Sequence, residues 1–242
     1  MQPNDENKSV TMRHKVREGI QQLIVKGRCQ PGERLVQQRL AKKFGVGQGV
    51  VREALCELQM SGLVEPIDNR GVYVSELGEQ TLLEAYSIRA LHEGLAAQLC
   101  CDHISRAEIR DLRDLADSIY KSGQEGDYGM MGKLDKQFHN EILHKSGNSL
   151  LVRLVESYAV LQKIVSMNRD PKETYQEHNQ ILDAMESGHA DEACRLMEEH
   201  ITNGRLQIEK RITEGTFIPN WVKNGNGTTK EKDAWKSKRK IV

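Results

Sequence analysis

Asp135 and His139 stand four residues apart, so any helix carrying both presents them one turn apart on one face, with Met131, Phe138 and Ile142 on the same side. His178 recurs among Tyr175, Ile181, Leu182 and Met185, and His200 among Leu196, Met197 and Gly204. Both histidines therefore fall on the apolar sides of helices. Burying such groups unpaired costs roughly 2 to 7 kcal/mol each. One shared divalent transition metal satisfies all four. An aspartate and three neutral imidazoles suit zinc best and also nickel, manganese or iron, with positions left open for water or a ligand carboxylate. Taken singly, each histidine reads better as a hydrogen-bonded core residue than as a ligand, and only the set points to a metal.

A second group of residues suits a polyanion. Gln48 and Arg52 open a helix whose apolar stripe is Val51, Leu55 and Leu58, and they lie at its edge or off it. From there Gln48 reaches toward adenine and Arg52 toward guanine, while Arg34, Arg39, Lys42 and Lys43 meet phosphates. Arg70, in the turn Asp68-Asn69-Arg70-Gly71, touches backbone or minor groove. One lysine or arginine alone is an ordinary solvated charge; the concentration of them in one short stretch is the signal.

The elements that must hold these residues follow from periodicity and breakers. Val16, Ile20, Leu23 and Ile24 mark a first helix, ended by Gly27 and Pro31-Gly32. A second runs from about Gln37 to Phe44 and stops at Gly45; a third runs from Gln48 to Ser61. Leu63-Val64 and Val72-Tyr73-Val74 flank the Asp68–Gly71 turn as a two-stranded wing. Beyond residue 78 six helices are expected. Leu83, Tyr86, Leu91, Leu95 and Leu99 mark the first, and Ser105 with Glu108 forms a capping box for the next. Ser146-Gly147-Asn148 separates a helix ending near Lys145 from one over Leu150 to Met167. Asp170-Pro171 with Glu173 starts another, Gly188 stops it, and the last spans about Ala190 to Glu214. The fold class is mainly α, a winged helix-turn-helix followed by a six-helix antiparallel bundle. The expected domains are a disordered segment 1–10, a DNA-binding domain 11–76, an effector- and metal-binding domain 77–215, and a basic, disordered tail 216–242.

Charge agrees with that division. Residues 11–75 carry eleven Lys/Arg against six Asp/Glu, residues 76–215 sixteen against twenty-five, and residues 216–242 seven against two, within a formal net charge of zero. A basic small domain joined to an acidic larger one fits a nucleic-acid reader whose other half should not adhere to phosphates. Cys29, Cys56, Cys100, Cys101 and Cys194 form no C-x-x-C pair and are odd in number, which argues for free thiols rather than disulfides or a thiolate zinc site. No stretch approaches a membrane span, and the opening Met-Gln-Pro-Asn-Asp-Glu is unlike a signal peptide, so a cytoplasmic protein is expected.

Pro31-Gly32-Glu33-Arg34-Leu35, Leu40-Ala41, Gly45-Val46, Val51-Arg52-Glu53-Ala54-Leu55, Leu58, Gly62-Leu63-Val64 and Gly71 resemble the GntR-type winged helix. By that resemblance Arg52 matches a DNA-contacting arginine. The chain departs from the family with Gly47-Gln48-Gly49 in place of the usual Ser-Arg-Thr, which makes Gln48 a substituted contact. Arg89 to Glu93, Asp135 with Phe138-His139, Ser146-Gly147-Asn148, Glu177-His178 and His200 are similar in order to the ligand-binding domain of the FadR-like branch. That likeness implies that Asp135, His139, His178 and His200 are metal ligands and that Arg89 faces the pocket and pairs with an effector carboxylate. A structural ion pair between Arg89 and Glu93 is the alternative.

The function expected is a homodimeric transcription regulator, a repressor, that reads double-stranded DNA at a palindromic operator and responds to a small carboxylate metabolite beside the metal. Two alternatives remain: a DNA-binding protein whose metal is purely structural, and a metal-dependent hydrolase or lyase, for which Glu177 is the one carboxylate base beside a proposed ligand.

Overall fold

The structure, a computed structural model, describes residues 3–75, 79–162 and 169–217, with side chains at 12–75, 79–155 and 169–217. The chain divides into two compact units, one based on Met1–Gly78 and the other on Glu79–Glu156 with Ser166–Phe217.

In the first unit α1 (Pro3–Val25), α2 (Gln37–Phe44) and α3 (Gln48–Met60) precede the hairpin β1 (Val64–Ile67) and β2 (Gly71–Val74). Val16, Ile20 and Ile24 from α1, Leu40 and Ala41 from α2, and Val51, Ala54, Leu55 and Leu58 from α3 are all buried together with Leu63 and Val64. Gly19 lets α1 pass close to α2, since a Cβ there would run into the Phe44 ring. Gly45 closes α2 in the left-handed conformation (φ 65°), its N–H donating to the Ala41 carbonyl. The hairpin pairs Val64 with Val74 and Ile67 with Gly71. Gly32 N–H donates to the Val74 carbonyl and Val74 N–H to the Glu33 carbonyl, tying the turn after α1 to the wing. One expectation is corrected here. Residues 3–10 are helical, continuing α1 toward the N-terminus, because Pro3 sits in the first turn, where its missing N–H costs nothing, and no breaker follows before Gly19.

The second unit holds α4 (Glu79–Cys100), α5 (Arg106–Gln124), α6 (Tyr128–Lys145), α7 (Ser149–Gln162), α8 (Pro171–Glu186) and α9 (Ala190–Thr213). The anticipated caps are present. Ser105 and Glu108 form a reciprocal capping box on α5, and Asp170 accepts from Lys172 and Glu173 N–H ahead of Pro171 on α8. The buried face of α4 differs from the expected leucine stripe. Leu91 and Leu95 are 65 % and 38 % exposed, whereas Leu82, Ala85, Ala90, Gly94, Ala96, Ala97 and Cys100 are buried. Small residues win this face because α9 approaches closely: a Cβ on Gly94 would lie 2.6 Å from Glu198 Cγ and 3.2 Å from the Cys194 carbonyl. The core of the unit is Ile109, Leu112, Ala116 and Ile119 from α5, Met131, Phe138 and Ile142 from α6, and Ile181, Leu182 and Met185 from α8.

The expected continuation of α7 to Met167 lies outside the described residues, as does the basic tail except for its start. There Phe217 is buried, its N–H donating to the Arg211 carbonyl, so ordered chain persists past the expected boundary at 216. All five cysteines are free thiols. Among the described residues no helix is long and apolar enough to cross a membrane.

Candidate metal centre and nucleic-acid face

Three helices of the second unit meet at four polar side chains. Asp135 and His139 come from α6, His178 from α8 and His200 from α9, and one ligand atom from each lies within 4.8 Å of all the others. His139 Nε2 is 3.7 Å from Asp135 Oδ2, His178 Nε2 is 3.4 Å from Asp135 Oδ1, and His200 Nε2 is 3.2 Å from His139 Nε2. The three rings form a compact cluster, with His178 also stacked on Phe138 at 4.1 Å. His178 is completely buried and His139 and His200 nearly so.

The donor set fits a cation. Neither ring nitrogen of His178 has a hydrogen-bond partner among the described residues, nor does Asp135 Oδ1. A buried donor or acceptor left unmade costs about 1 to 3 kcal/mol, and His178 Nε2 and Asp135 Oδ1 are two such atoms only 3.4 Å apart, an arrangement that ordinary core histidines do not explain and a shared cation would. Burial pushes the His178 ring below its ordinary pKa. For His200 burial is reinforced by His178 and His139, and its pKa falls well below the ordinary value. Both shifts favour the neutral ring, the form in which imidazole ligates a metal. Burial resists ionisation of Asp135, but His139 and His178, aided by Arg89, outweigh it and lower its pKa.

Two buried ion pairs flank the quartet. Arg89 Nε donates to Glu93 Oε1 at 2.7 Å one turn along α4. Burial opposes charge on both partners, yet their mutual attraction prevails: the Arg89 pKa is raised, and Arg89 with His139 draws Glu93 down to about 2. The Arg89 guanidinium also lies over the Tyr86 ring at 4.9 Å. Arg169, immediately before α8, grips Glu177 with Nη2 at 2.8 and 2.6 Å. Glu177 Oε2 is in turn 2.7 Å from His200 Nδ1. Arg89 is therefore engaged with Glu93, the alternative set beside the effector role, and Glu177 is held by Arg169 instead of standing as a base. Sequence reasoning missed Arg169 altogether. It stands between helices, where no periodicity marks a buried face, and the acid it needs is eight residues away.

The seven residues expected at DNA lie in the first unit, and all are exposed: Arg34, Arg39, Lys42, Lys43, Gln48, Arg52 and Arg70. Gln48 and Arg52 occupy the first and second turns of α3, and Gly47 caps that helix without a side-chain bond. Lys42 and Lys43 end α2. Arg70 follows Asn69, which takes a left-handed conformation (φ 60°) at the wing tip. By contrast Arg13 and Arg17 pair with Glu57, Arg13 at 2.7 Å and Arg17 at 3.5 Å, which braces α1 on α3. Among the described residues the six cations of this set, Arg34, Arg39, Lys42, Lys43, Arg52 and Arg70, make no such pair, which leaves their charges for a partner.

Helix, helix, turn, recognition helix and wing, followed by a bundle with an Asp/His cluster, define a two-domain regulator architecture. Residues 12–74 match the bacterial regulatory proteins of the gntR family and residues 84–203 match the FCD domain. The chain belongs to the GntR family and carries a C-terminal FCD domain. It is similar to the Nta operon transcriptional regulator of Aminobacter aminovorans, 28 % identical over 202 residues, covering 83 % of this chain and 95 % of that protein. It is also similar to a probable D-xylose utilization operon transcriptional repressor of Paenarthrobacter nicotinovorans, 26 % identical over 195 residues, covering 79 % and 86 %. The fold is shared with E. coli McbR/YncC, at a TM-score of 0.66 and 18 % identity over 83 % of this chain and 98 % of that one. The protein is a transcriptional regulator and not an enzyme, which removes the hydrolase or lyase alternative.

Proposed function

We propose that this regulator is a cytoplasmic homodimer that represses transcription from a palindromic operator and is controlled by a small carboxylate bound beside a divalent metal in its FCD domain. The Paenarthrobacter relative is named a probable transcriptional repressor, which supports repression here. Asp135, His139, His178 and His200 would hold the metal, zinc in the first instance, and a bound cation would supply a Lewis-acidic centre for a carboxylate oxygen. The observation that carries this reading is His178, fully buried with both ring nitrogens unbonded among the described residues and facing an equally unbonded Asp135 Oδ1. Arg89 donates to Glu93 through Nε, and its role is to set the positive potential beside the ligand while Glu93 keeps it in place. In the winged unit, Gln48 and Arg52 read base edges, Arg34, Arg39, Lys42 and Lys43 neutralise phosphates, and Arg70 enters from the wing.

The test is DNA affinity of the purified chain for its own upstream region at fixed salt, with and without zinc, across a panel of small carboxylic acids. A shift of tenfold or more, about 1.4 kcal/mol of coupling, that disappears in His139→Ala and His178→Ala is expected. The near-complete enclosure of His139, His178 and His200 favours a second reading, a metal that holds the bundle together without an effector. It predicts that chelation unfolds the bundle while no acid alters DNA affinity. A protein that binds no DNA sinks both readings.

A further inference from the structure

Two of the three histidines are backed by carboxylates arranged in the same way. On one side Arg89 Nε donates to Glu93 Oε1, and Glu93 Oε2 lies 2.7 Å from His139 Nδ1, a short contact whose direction is poor for a hydrogen bond. On the other side Arg169 clamps Glu177 through Nη2, and Glu177 Oε2 lies 2.7 Å from His200 Nδ1. Asn203 Nδ2 donates to Glu177 Oε1 at 2.9 Å and completes that carboxylate's shell.

A carboxylate only accepts, so His200 Nδ1, hydrogen-bonded to Glu177 Oε2 at 2.7 Å, must carry a proton, or two lone pairs would face each other; a proton on His139 Nδ1 likewise relieves its equally short approach to Glu93 Oε2. Neutral imidazole has one N–H. If it is at Nδ1 in both His139 and His200, both Nε2 atoms present lone pairs, and these are the atoms that approach each other to 3.2 Å. That approach is repulsive between two bare acceptors and favourable around a shared cation. Arg169 Nη1 also lies 3.1 Å from His200 Nδ1 and would favour the opposite tautomer. Its contact is longer than that of Glu177, and the same Nη1 has the His200 carbonyl as an acceptor at 3.4 Å. His178 has no glutamate behind it in this way: its Nε2 is 3.4 Å from Asp135 Oδ1, itself in the ligand set, and its Nδ1 has no hydrogen-bond partner among the described residues.

We propose that Glu93 and Glu177 are positioning residues for the metal centre: each, clamped by a buried arginine, takes the Nδ1–H of one histidine and turns the Nε2 lone pairs of His139 and His200 toward the cation. The proposal rests on the metal reading given above. Carboxylates behind ligating histidines fix ring orientation and raise ligand basicity, and losing one typically costs about 10- to 100-fold in metal affinity.

The test uses the full chain and zinc. Competition with a chromophoric chelator is expected to show Glu177→Gln and Glu93→Gln binding zinc about 10- to 100-fold more weakly than wild type. Imidazole nitrogen-15 spectra of the metal-free wild-type protein are expected to show the Nδ1–H tautomer at His139 and His200. Glu177→Gln should disturb His200 alone and Glu93→Gln His139 alone, a selectivity that a merely structural role would not produce. Glu177, at the rim of the cluster, is the safer substitution if Glu93→Gln folds poorly. An Nε2–H tautomer at either histidine in the wild type, or undiminished zinc affinity in the variants, overturns the relay alone. A wild-type chain that takes up no zinc overturns the metal reading and the relay together.

Discussion

The two units use charge in opposite ways. The winged unit keeps Arg34, Arg39, Lys42, Lys43, Arg52 and Arg70 exposed around an apolar core of Ile20, Val51, Leu55 and Leu63. The bundle takes Arg89, Glu93, Arg169 and three histidines out of solvent. Exposed cations cost little to maintain and act on a polyanion through counterion release and groove contacts. Buried ionic groups must be paired where they stand, and they make sense where a small ligand has to be held with orientation. Substitutions on the first surface should therefore change binding and leave folding alone. Substitutions in the second network should change folding as well.

The largest effect follows from breaking the buried network on one side. Glu93→Ala leaves the Arg89 guanidinium enclosed without its 2.7 Å partner. Urea denaturation should show a loss of about 3 to 5 kcal/mol. Arg89→Met combined with Glu93→Leu should recover most of it, because removing both charges removes the need for pairing. Equal losses in the single and double variants would mean that the pair's packing, and not its charge, stabilises the bundle.

Metal removal should come next in size. At free zinc of about 100 times the dissociation constant, ligation adds about 2.7 kcal/mol to the folded state. Chelation should lower the melting temperature of the wild-type protein, and His178→Ala should abolish that dependence. A melting temperature indifferent to chelator would show that Phe138 and the flanking pairs hold the quartet unaided.

What was legible in the sequence divides along the same line. Polar residues on apolar stripes are conspicuous, and so Asp135, His139, His178 and His200 stood out before any coordinates. Glycines and prolines marked the helix ends well, because a positive φ at Gly45 or Gly188 has few other solutions. The inner face of α4 was misjudged because hydrophobicity favours Leu91 and Leu95, whereas close approach of α9 selects for small size at Gly94 and Ala97. Arg169 was invisible for another reason: its burial depends on Glu177 and His200, and no local pattern encodes a partner on another helix.

On the winged unit the effects should be smaller and confined to DNA. Arg52→Ala should weaken operator affinity by about 1 to 3 kcal/mol and relax discrimination at one base pair. Lys42→Ala should weaken all sequences alike and reduce the slope of log affinity against log salt by about 1. Neither exposed side chain should alter unfolding by more than about 0.5 kcal/mol. If Lys42→Ala changed base preference while Arg52→Ala changed only the salt slope, their assigned roles would be exchanged.

The smallest effect sharpens the comparison by placing an ion pair at the surface of the bundle itself. Glu108 accepts from Ser105 N–H and from Lys145 Nζ, at 2.9 and 3.0 Å, and its exposed carboxyl is drawn down to about 2, first by the Ser105 backbone and then by Lys145. A carboxyl whose pKa is lower in the folded state contributes stability that is present above its ordinary value of 4.5 and lost as pH falls toward 2. Glu108→Gln should therefore reduce stability slightly at neutral pH and should match wild type at the acid end of that window. The difference should also shrink in high salt, which screens exposed pairs and leaves enclosed ones nearly untouched. Thermal melts of the two proteins from pH 7 to below pH 2 separate these cases. A gap that persists below pH 2 would assign the contribution of Glu108 to its hydrogen-bonding shape, and exposure alone would then no longer predict which of the bundle's charges are expendable.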